Sequence, residues 1–114
     1  MSRITTHVLD TALGRPATGV RVRLERLGAD GAVEVLGQGA TDDDGRLRDL
    51  APAGPALISG RYRLVFDTGA YFLDQELDGF YPSVSIDFEV LDGTQHYHVP
   101  LLLSPFGYST YRGS

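Results

Sequence analysis

Three histidines, His7, His96 and His98, offer this sequence its proton chemistry. Imidazole is the one side chain suited, unperturbed, to moving a proton near neutral pH. His96-Tyr97-His98 opens an alternating run, His96 to Leu103, in which Tyr97, Val99, Leu101 and Leu103 form an apolar stripe. On a strand, residues i and i+2 share a face, so both imidazoles project together, away from the core and towards solvent or a partner subunit. His7 lies in a second run, Ile4 to Leu9, with Ile4, Thr6 and Val8 on one face and Thr5, His7 and Leu9 on the other. With Ile4 and Val8 in the core, His7 also points outward. His-x-His on a strand can supply two zinc ligands and His7 a third, but no carboxylate stands at a ligand spacing. The bland alternative is that these are solvated or interface histidines without a chemical role.

Arg46 follows the turn Asp42-Asp43-Asp44-Gly45. The turn resembles a calcium loop only superficially: with Gly45 at the sixth position, the required bidentate Glu would fall on Ala51. A turn with Asx-type side-chain hydrogen bonds is expected instead. Arg46 is then either an exposed strand-start residue or a guanidinium held to bind an anionic or carbonyl-rich ligand. There is no phosphate-binding Gly-rich loop, no Gly-x-Ser-x-Gly and no metalloprotease helix motif. The tail, Tyr108 to Ser114, is aromatic and rich in donors, whereas chain termini usually fray. A tail of this kind is expected to dock.

The elements that must position these residues are mostly strands. Val20 to Arg26, Arg61 to Asp67 and Val84 to Val90 alternate apolar and polar residues with period two. Val33 to Leu36, Ile4 to Leu9, His96 to Leu103 and Phe106 to Arg112 complete the set. Gly28-Ala29-Asp30-Gly31 reads as a hairpin turn and Ala51 to Gly60 as a Pro/Gly-rich loop around Pro52 and Pro55. Seven or eight short strands with frequent turns predict an all-β sandwich. Thr68 to Leu77 breaks the pattern and predicts one short helix, with Gly79 as its stop.

Composition bounds what this fold can do. The chain has 114 residues, 42% hydrophobic and 22% charged, which suits one folded domain over residues 1–114. There is no cysteine, so disulfides, zinc-thiolate sites and thiol nucleophiles are excluded. The net charge is −5, with ten scattered Arg and no Lys, which argues against nucleic acid or an anionic membrane as partner. No apolar run reaches the roughly 20 residues that span a bilayer. The opening MSRITTHVLD has no signal-peptide pattern, and a cytosolic setting, bacterial by preference, is expected.

Taken together, several segments resemble the 5-hydroxyisourate hydrolase family of transthyretin-related proteins. They are Ile4-Thr-Thr-His-Val-Leu-Asp10 with Gly14-Arg-Pro16, Thr41-Asp-Asp-Asp-Gly-Arg46, Phe66-Asp-Thr-Gly-Ala-Tyr-Phe72, Phe80-Tyr-Pro82, and His96 through Pro105 to Tyr111-Arg112-Gly113-Ser114. The resemblance covers essentially the whole chain in order. The terminal Tyr-Arg-Gly-Ser is its most specific mark, absent from the hormone-carrying transthyretins. It implies a transthyretin-like (prealbumin-like) sandwich of two four-stranded sheets with one short helix near residues 69–77. It also implies a homotetramer, a dimer of dimers, whose channel holds the active sites.

The implied activity is hydrolysis of the cyclic amide of 5-hydroxyisourate in urate breakdown, with no cofactor and no metal. The implied catalytic residues are His7, Arg46, His98 and Ser114. His7, Arg46, Tyr111, Arg112 and Gly113 would contact substrate. Either His7 or His98 can serve as base for the attacking water, and His96 is assigned a supporting or structural place. The competing reading is a non-enzymatic, transthyretin-like carrier of a small apolar ligand, which predicts an aliphatic channel rather than one lined by His7, His98 and Tyr111. A prealbumin-like adhesion repeat is the other structural alternative.

Overall fold

The computed structural model describes residues 3–51, 54 and 56–114. Pro52 and Pro55, the centre of the expected loop, lie outside them. The strands are β1 (Ile4–Asp10), β2 (Arg15–Pro16), β3 (Arg21–Leu27), β4 (Val33–Ala40), β5 (Arg46–Leu47), β6 (Gly60–Phe66), β7 (Val84–Val90), β8 (Tyr97–Ser104) and β9 (Gly107–Thr110), with one helix, α1 (Thr68–Leu73), between β6 and β7. One sheet has the order β4-β3-β6-β7 and is antiparallel throughout. The other has the order β2-β1-β8-β9, with β5 also on β1.

This second sheet differs from the expected four strands in an instructive way. Because β8 occupies one edge of β1 along its full length, β2 and β5 must share the other. Arg15 and Pro16 pair with Asp10 and Leu9, while Arg46 and Leu47 pair with His7 and Thr6. The fourth position is thus filled by two dipeptides end to end, too short to show any period in the sequence.

Each alternating run buries its expected face. Ile4, Thr6 and Val8 of β1, Val22 and Leu24 of β3, Tyr62, Leu64 and Phe66 of β6, and Val99, Leu101 and Leu103 of β8 meet between the sheets. Each fully buried apolar side chain contributes about 1.5–3 kcal/mol relative to exposure. The outer face of the first sheet is charged instead: Arg63 Nε donates to Asp87 Oδ1 at 2.7 Å and Arg23 Nε to Glu25 Oε2 at 2.7 Å.

Turn and helix details refine the sequence expectations. Gly28–Gly31 forms the hairpin turn between β3 and β4, with Gly31 at φ 84° and Gly28 N donating to Ala32 O at 2.7 Å. β4 runs on to Ala40, paired with β3 as far as Arg21, and Gly37 within it lets Leu50 approach: a Cβ there would lie 1.9 Å from the Leu50 carbonyl oxygen. α1 ends four residues before the expected Leu77. Glu76 turns left-handed at φ 59°, and Glu76 N and Leu77 N close on Leu73 O and Phe72 O at 2.9 and 3.0 Å. That paired closure is a Schellman-type stop. Gly79 serves packing instead: a Cβ there would meet the Phe72 ring at 2.7 Å. Among the described residues, no helix is long and apolar enough to cross a membrane.

Candidate active site

The parallel pairing of β1 with β8 brings the two ends of the sequence into one register, with Thr5 opposite His98 and His7 opposite Pro100. On the other edge of β1, His7 faces Arg46. His7, Arg46 and His98 therefore occupy three adjacent strands, on the sheet face turned away from the core.

Arg46 is delivered there by its turn. Asp42 Oδ1 accepts from Asp44 N and Arg46 N, each at 2.9 Å, the Asx-type closure expected of this sequence. These backbone donors, Arg46 first, hold the Asp42 carboxyl below its usual range. Gly45, at φ 75°, packs so closely on β1 that a Cβ would come within 2.4 Å of Val8 O. The same turn holds His7, whose Nε2 lies 2.8 Å from Asp44 O. A carbonyl only accepts, so His7 Nε2 carries a proton and its remaining lone pair is on Nδ1.

A pocket of roughly 170 Å³ opens between these strands, lined by Thr5, Thr6, Arg46, Arg48, His96, His98 and Ser114. Of the seven residues singled out from the sequence, Arg46, His98 and Ser114 line it directly. His7 stands beside it, one step further along β1, anchored to the turn. Larger hollows of about 610 Å³ lie over β3 and β4 and beside Gly28 and Gly60, but hold no histidine.

His98 is partly buried, and its Nδ1 lies 2.7 Å from Thr5 Oγ1. Its Nε2 has no partner among the described residues. Burial first, then the positive charges of Arg46, His96 and His7, push its pKa below the ordinary 6.5. His98 is thus neutral at pH 7 and able to accept a proton. The Arg46 side chain has no ion-pair partner among the described residues, so its guanidinium is available to a ligand. Arg48 is held loosely, 3.5 Å from Asp42.

The tail is docked, as its composition predicts. Gly113 N donates to His98 O at 2.8 Å, forming an isolated bridge to β8. Arg112 lies 4.7 Å over the Tyr97 ring and donates to Gln95 Oε1 at 3.0 Å. These contacts bring Ser114, with its hydroxyl, into the pocket. Tyr111 and Arg112 do not line this pocket but a neighbouring groove of about 160 Å³, with Ile86 and Phe88 of β7, that also reaches His98.

Thr5, Thr6 and Arg48 were not singled out by sequence reasoning, and His96 was given only a supporting place. Strand parity carries the signal for two of them: Thr5 is two residues before His7, and Arg48 two after Arg46. Among the described residues, no group of three or more His, Cys, Asp or Glu could hold a metal ion.

The fold and this pocket define a transthyretin-like sandwich carrying an imidazole- and guanidinium-lined cleft on one outer sheet face. The chain belongs to the HIUase/Transthyretin family, whose model matches residues 4–113. It is 47% identical over 111 residues to 5-hydroxyisourate hydrolase of Salmonella dublin, covering 97% of this chain and 80% of that one. The structure of Klebsiella pneumoniae 5-hydroxyisourate hydrolase superposes with a TM-score of 0.84 at 39% identity, covering 97% of this chain and 92% of that chain. Sea bream transthyretin in complex with thyroxine superposes with a TM-score of 0.91 at 32% identity, covering 98% and 95%. The backbone is therefore shared by hydrolases and carriers alike, and only the side chains in the pocket can choose between them.

Proposed function

We propose that this chain hydrolyses 5-hydroxyisourate, opening a cyclic amide bond to give 2-oxo-4-hydroxy-4-carboxy-5-ureidoimidazoline in urate degradation. The observation that carries the reading is the grouping of His98, Arg46 and the terminal Ser114 in one pocket. A carrier of an apolar ligand needs an aliphatic lining, which this pocket lacks. The named relatives at 47% and 39% identity are hydrolases of this substrate.

Opening an amide needs a directed water, stabilisation of the developing oxyanion, and a proton for the leaving nitrogen. His98 takes the water proton on Nε2, because its other nitrogen is engaged by Thr5 and its positive form is disfavoured. Arg46 orients the ring carbonyls and carries the negative charge that develops on the attacked oxygen. The proton on His98 then passes to the leaving nitrogen. His7, fixed through Asp44 O, presents Nδ1 towards the substrate edge. The Ser114 hydroxyl orients the water or an imidazole. Gly113 holds the tail against His98, while Tyr111 and Arg112 line the neighbouring groove rather than the pocket that holds Arg46 and Ser114. The reaction uses no cofactor, since the imide-like ring is already labile.

The functional unit is a homotetramer, a dimer of dimers, with small molecules as its only other partners. Three features support this. A 170 Å³ hollow is small beside ligand sites of about 300–1,000 Å³, so a facing copy would deepen it. Among the described residues β7 and β9 each pair on one side only, as do β4, β2 and β5, so both sheets keep open edges. Phe106 and Tyr111, 73% and 58% exposed, flank β9. A cytosolic setting fits a chain without cysteine.

The test follows the decay of freshly generated 5-hydroxyisourate by its ultraviolet absorbance. His98→Ala is expected to lower kcat by about 10²–10⁴-fold, the usual contribution of a general base. Near wild-type turnover would remove His98 from the mechanism. Sizing in solution checks the tetramer, which a stable, active monomer would refute.

A further inference from the structure

Thr5 sits at a junction that the reaction as written leaves idle. It is almost wholly buried, yet it belongs to the outer face of β1, directly beneath the two imidazoles. Its Oγ1 lies 2.7 Å from His98 Nδ1 and 3.0 Å from His96 Nε2. The two rings are nearly parallel, inclined by 17° with centroids 6.3 Å apart, so the hydroxyl bridges their edges.

We propose that Thr5 is a positioning residue that couples His96 to His98, fixes the tautomer of His98 and relays its spare proton outward. In the base-ready state His98 Nδ1–H donates to Thr5 Oγ1, Thr5 O–H donates to His96 Nε2, and His98 Nε2 faces the pocket as an acceptor. This deepens the assignment of His98 as base and rests on it.

The physical ground is a count of protons. A hydroxyl has one proton to give, and a neutral imidazole has one N–H. A chain of two imidazoles joined by one hydroxyl can therefore be polarised towards His96 or towards His98. The first polarity leaves His98 Nε2 bare, as a base. The reverse polarity puts the N–H on His98 Nε2, as an acid. Passage between them balances without any other reactant. Water gives a proton to His98 Nε2, His98 Nδ1 gives one to Thr5 Oγ1, and Thr5 gives its own to His96 Nε2. His98 is again neutral and the positive charge rests on His96. As His98 Nε2–H passes to the leaving nitrogen, His96 returns its proton through Thr5 Oγ1 to His98 Nδ1, which restores the starting state.

The surroundings favour that direction. His96 is exposed, whereas His98 is partly buried. Arg46 and Arg48 line the pocket beside both rings, and positive charge is easier to hold on the exposed ring than on the partly buried one.

The experiment uses the full chain with ¹⁵N-labelled histidine, reading the His98 tautomer by two-bond ¹⁵N–¹H correlation alongside steady-state kinetics. The wild type is expected to show His98 as Nδ1–H. Thr5→Val keeps the shape but removes the hydroxyl; it should lose the single tautomer and lower kcat about 10- to 100-fold, with KM little changed. Thr5→Ser should restore both. His96→Gln retains an acceptor for Thr5 and should keep the tautomer while lowering kcat, because no proton can be stored there. An Nε2–H tautomer in the wild type, or unchanged kcat in Thr5→Val, would overturn the coupling. Unchanged kcat in His96→Gln would overturn the relay. Should Thr5→Val fail to fold, the wild-type tautomer and His96→Gln still decide the matter. Wild-type turnover in His98→Ala would strike instead at the base assignment, and the tautomer measurement separates the two failures.

Discussion

Gly113 stands directly against His98: its amide donates to the His98 carbonyl at 2.8 Å, and a Cβ on it would come within 2.6 Å of the imidazole Cδ2. The penultimate residue of the chain therefore fixes the height at which the tail crosses the proposed base. Backbone conformation does not demand glycine here; close approach does.

Gly113→Ala should push the His98 ring or the tail aside. Displacing a reacting group by about 1 Å costs on the order of 10²-fold in rate. The expected result is a fall of that size in kcat, with stability changed by less than about 0.5 kcal/mol, because the tail lies outside the core. Kinetics paired with thermal melting reads both, and an unaffected kcat would show that the contact is unimportant.

The depressed pKa of His98 sets the pH profile. Only its neutral form accepts a proton, so kcat/KM should be flat near neutrality and fall as pH drops through a midpoint below 6.5. The linked stability runs the same way. The unfolded chain protonates first, so the contribution of neutral His98 is present above 6.5 and is lost as pH falls towards the folded-state value. An acid limb centred above 6.5 would point to a different group.

Arg112 anchors the tail through the Tyr97 ring and Gln95. A cation–π contact at an exposed site is worth about 0.5–1 kcal/mol. Arg112→Ala should loosen the tail by roughly fivefold in docked population, lowering kcat/KM and speeding C-terminal proteolysis. Arg112→Lys should recover little, since it loses the planar group that stacks on the ring.

Tyr71→Phe should damage stability and spare catalysis. Its hydroxyl donates at 2.7 Å to Asp10 Oδ2, a buried carboxyl whose Oδ1 accepts from Ala12 N and Leu13 N at 3.1 and 3.0 Å. Burial, then Asp10 itself, pushes the Tyr71 pKa up to about 12, so the phenol stays a donor throughout the working range. Losing one bond to a buried carboxylate is expected to cost about 1–2 kcal/mol. A reduced Tm with unchanged kcat is the expected pair of results. Asp10 lies at the far end of β1 from Thr5, which is why the two effects separate.

What was legible in this sequence follows from strand periodicity. Alternation is local, so Val20 to Arg26, Arg61 to Asp67 and His96 to Leu103 disclosed their strands and buried faces, and parity alone sent His7 and His98 outward. Turn chemistry was equally readable at Asp42 to Gly45, because an Asx closure needs only neighbouring residues. Where two residues suffice for an element, as in β2 and β5, no period exists to be read. The true helix end was hidden for a related reason: Glu76, not Gly79, turns left-handed, and the tertiary contact of Gly79 with Phe72 leaves no mark on local propensity.

Assembly of the site is a different matter. Nothing local relates Thr5 to His98, ninety-three residues apart, or Gly113 to the ring it crosses. The sequence alone determined which residue types exist and which sheet face each takes. The parallel register of β1 on β8 and the pairing of β5 on the other edge of β1 decided which of them meet, and the first gave one hydroxyl to two histidines. Register is set by the whole buried face of both strands, so it can only be fixed once the sheets have packed.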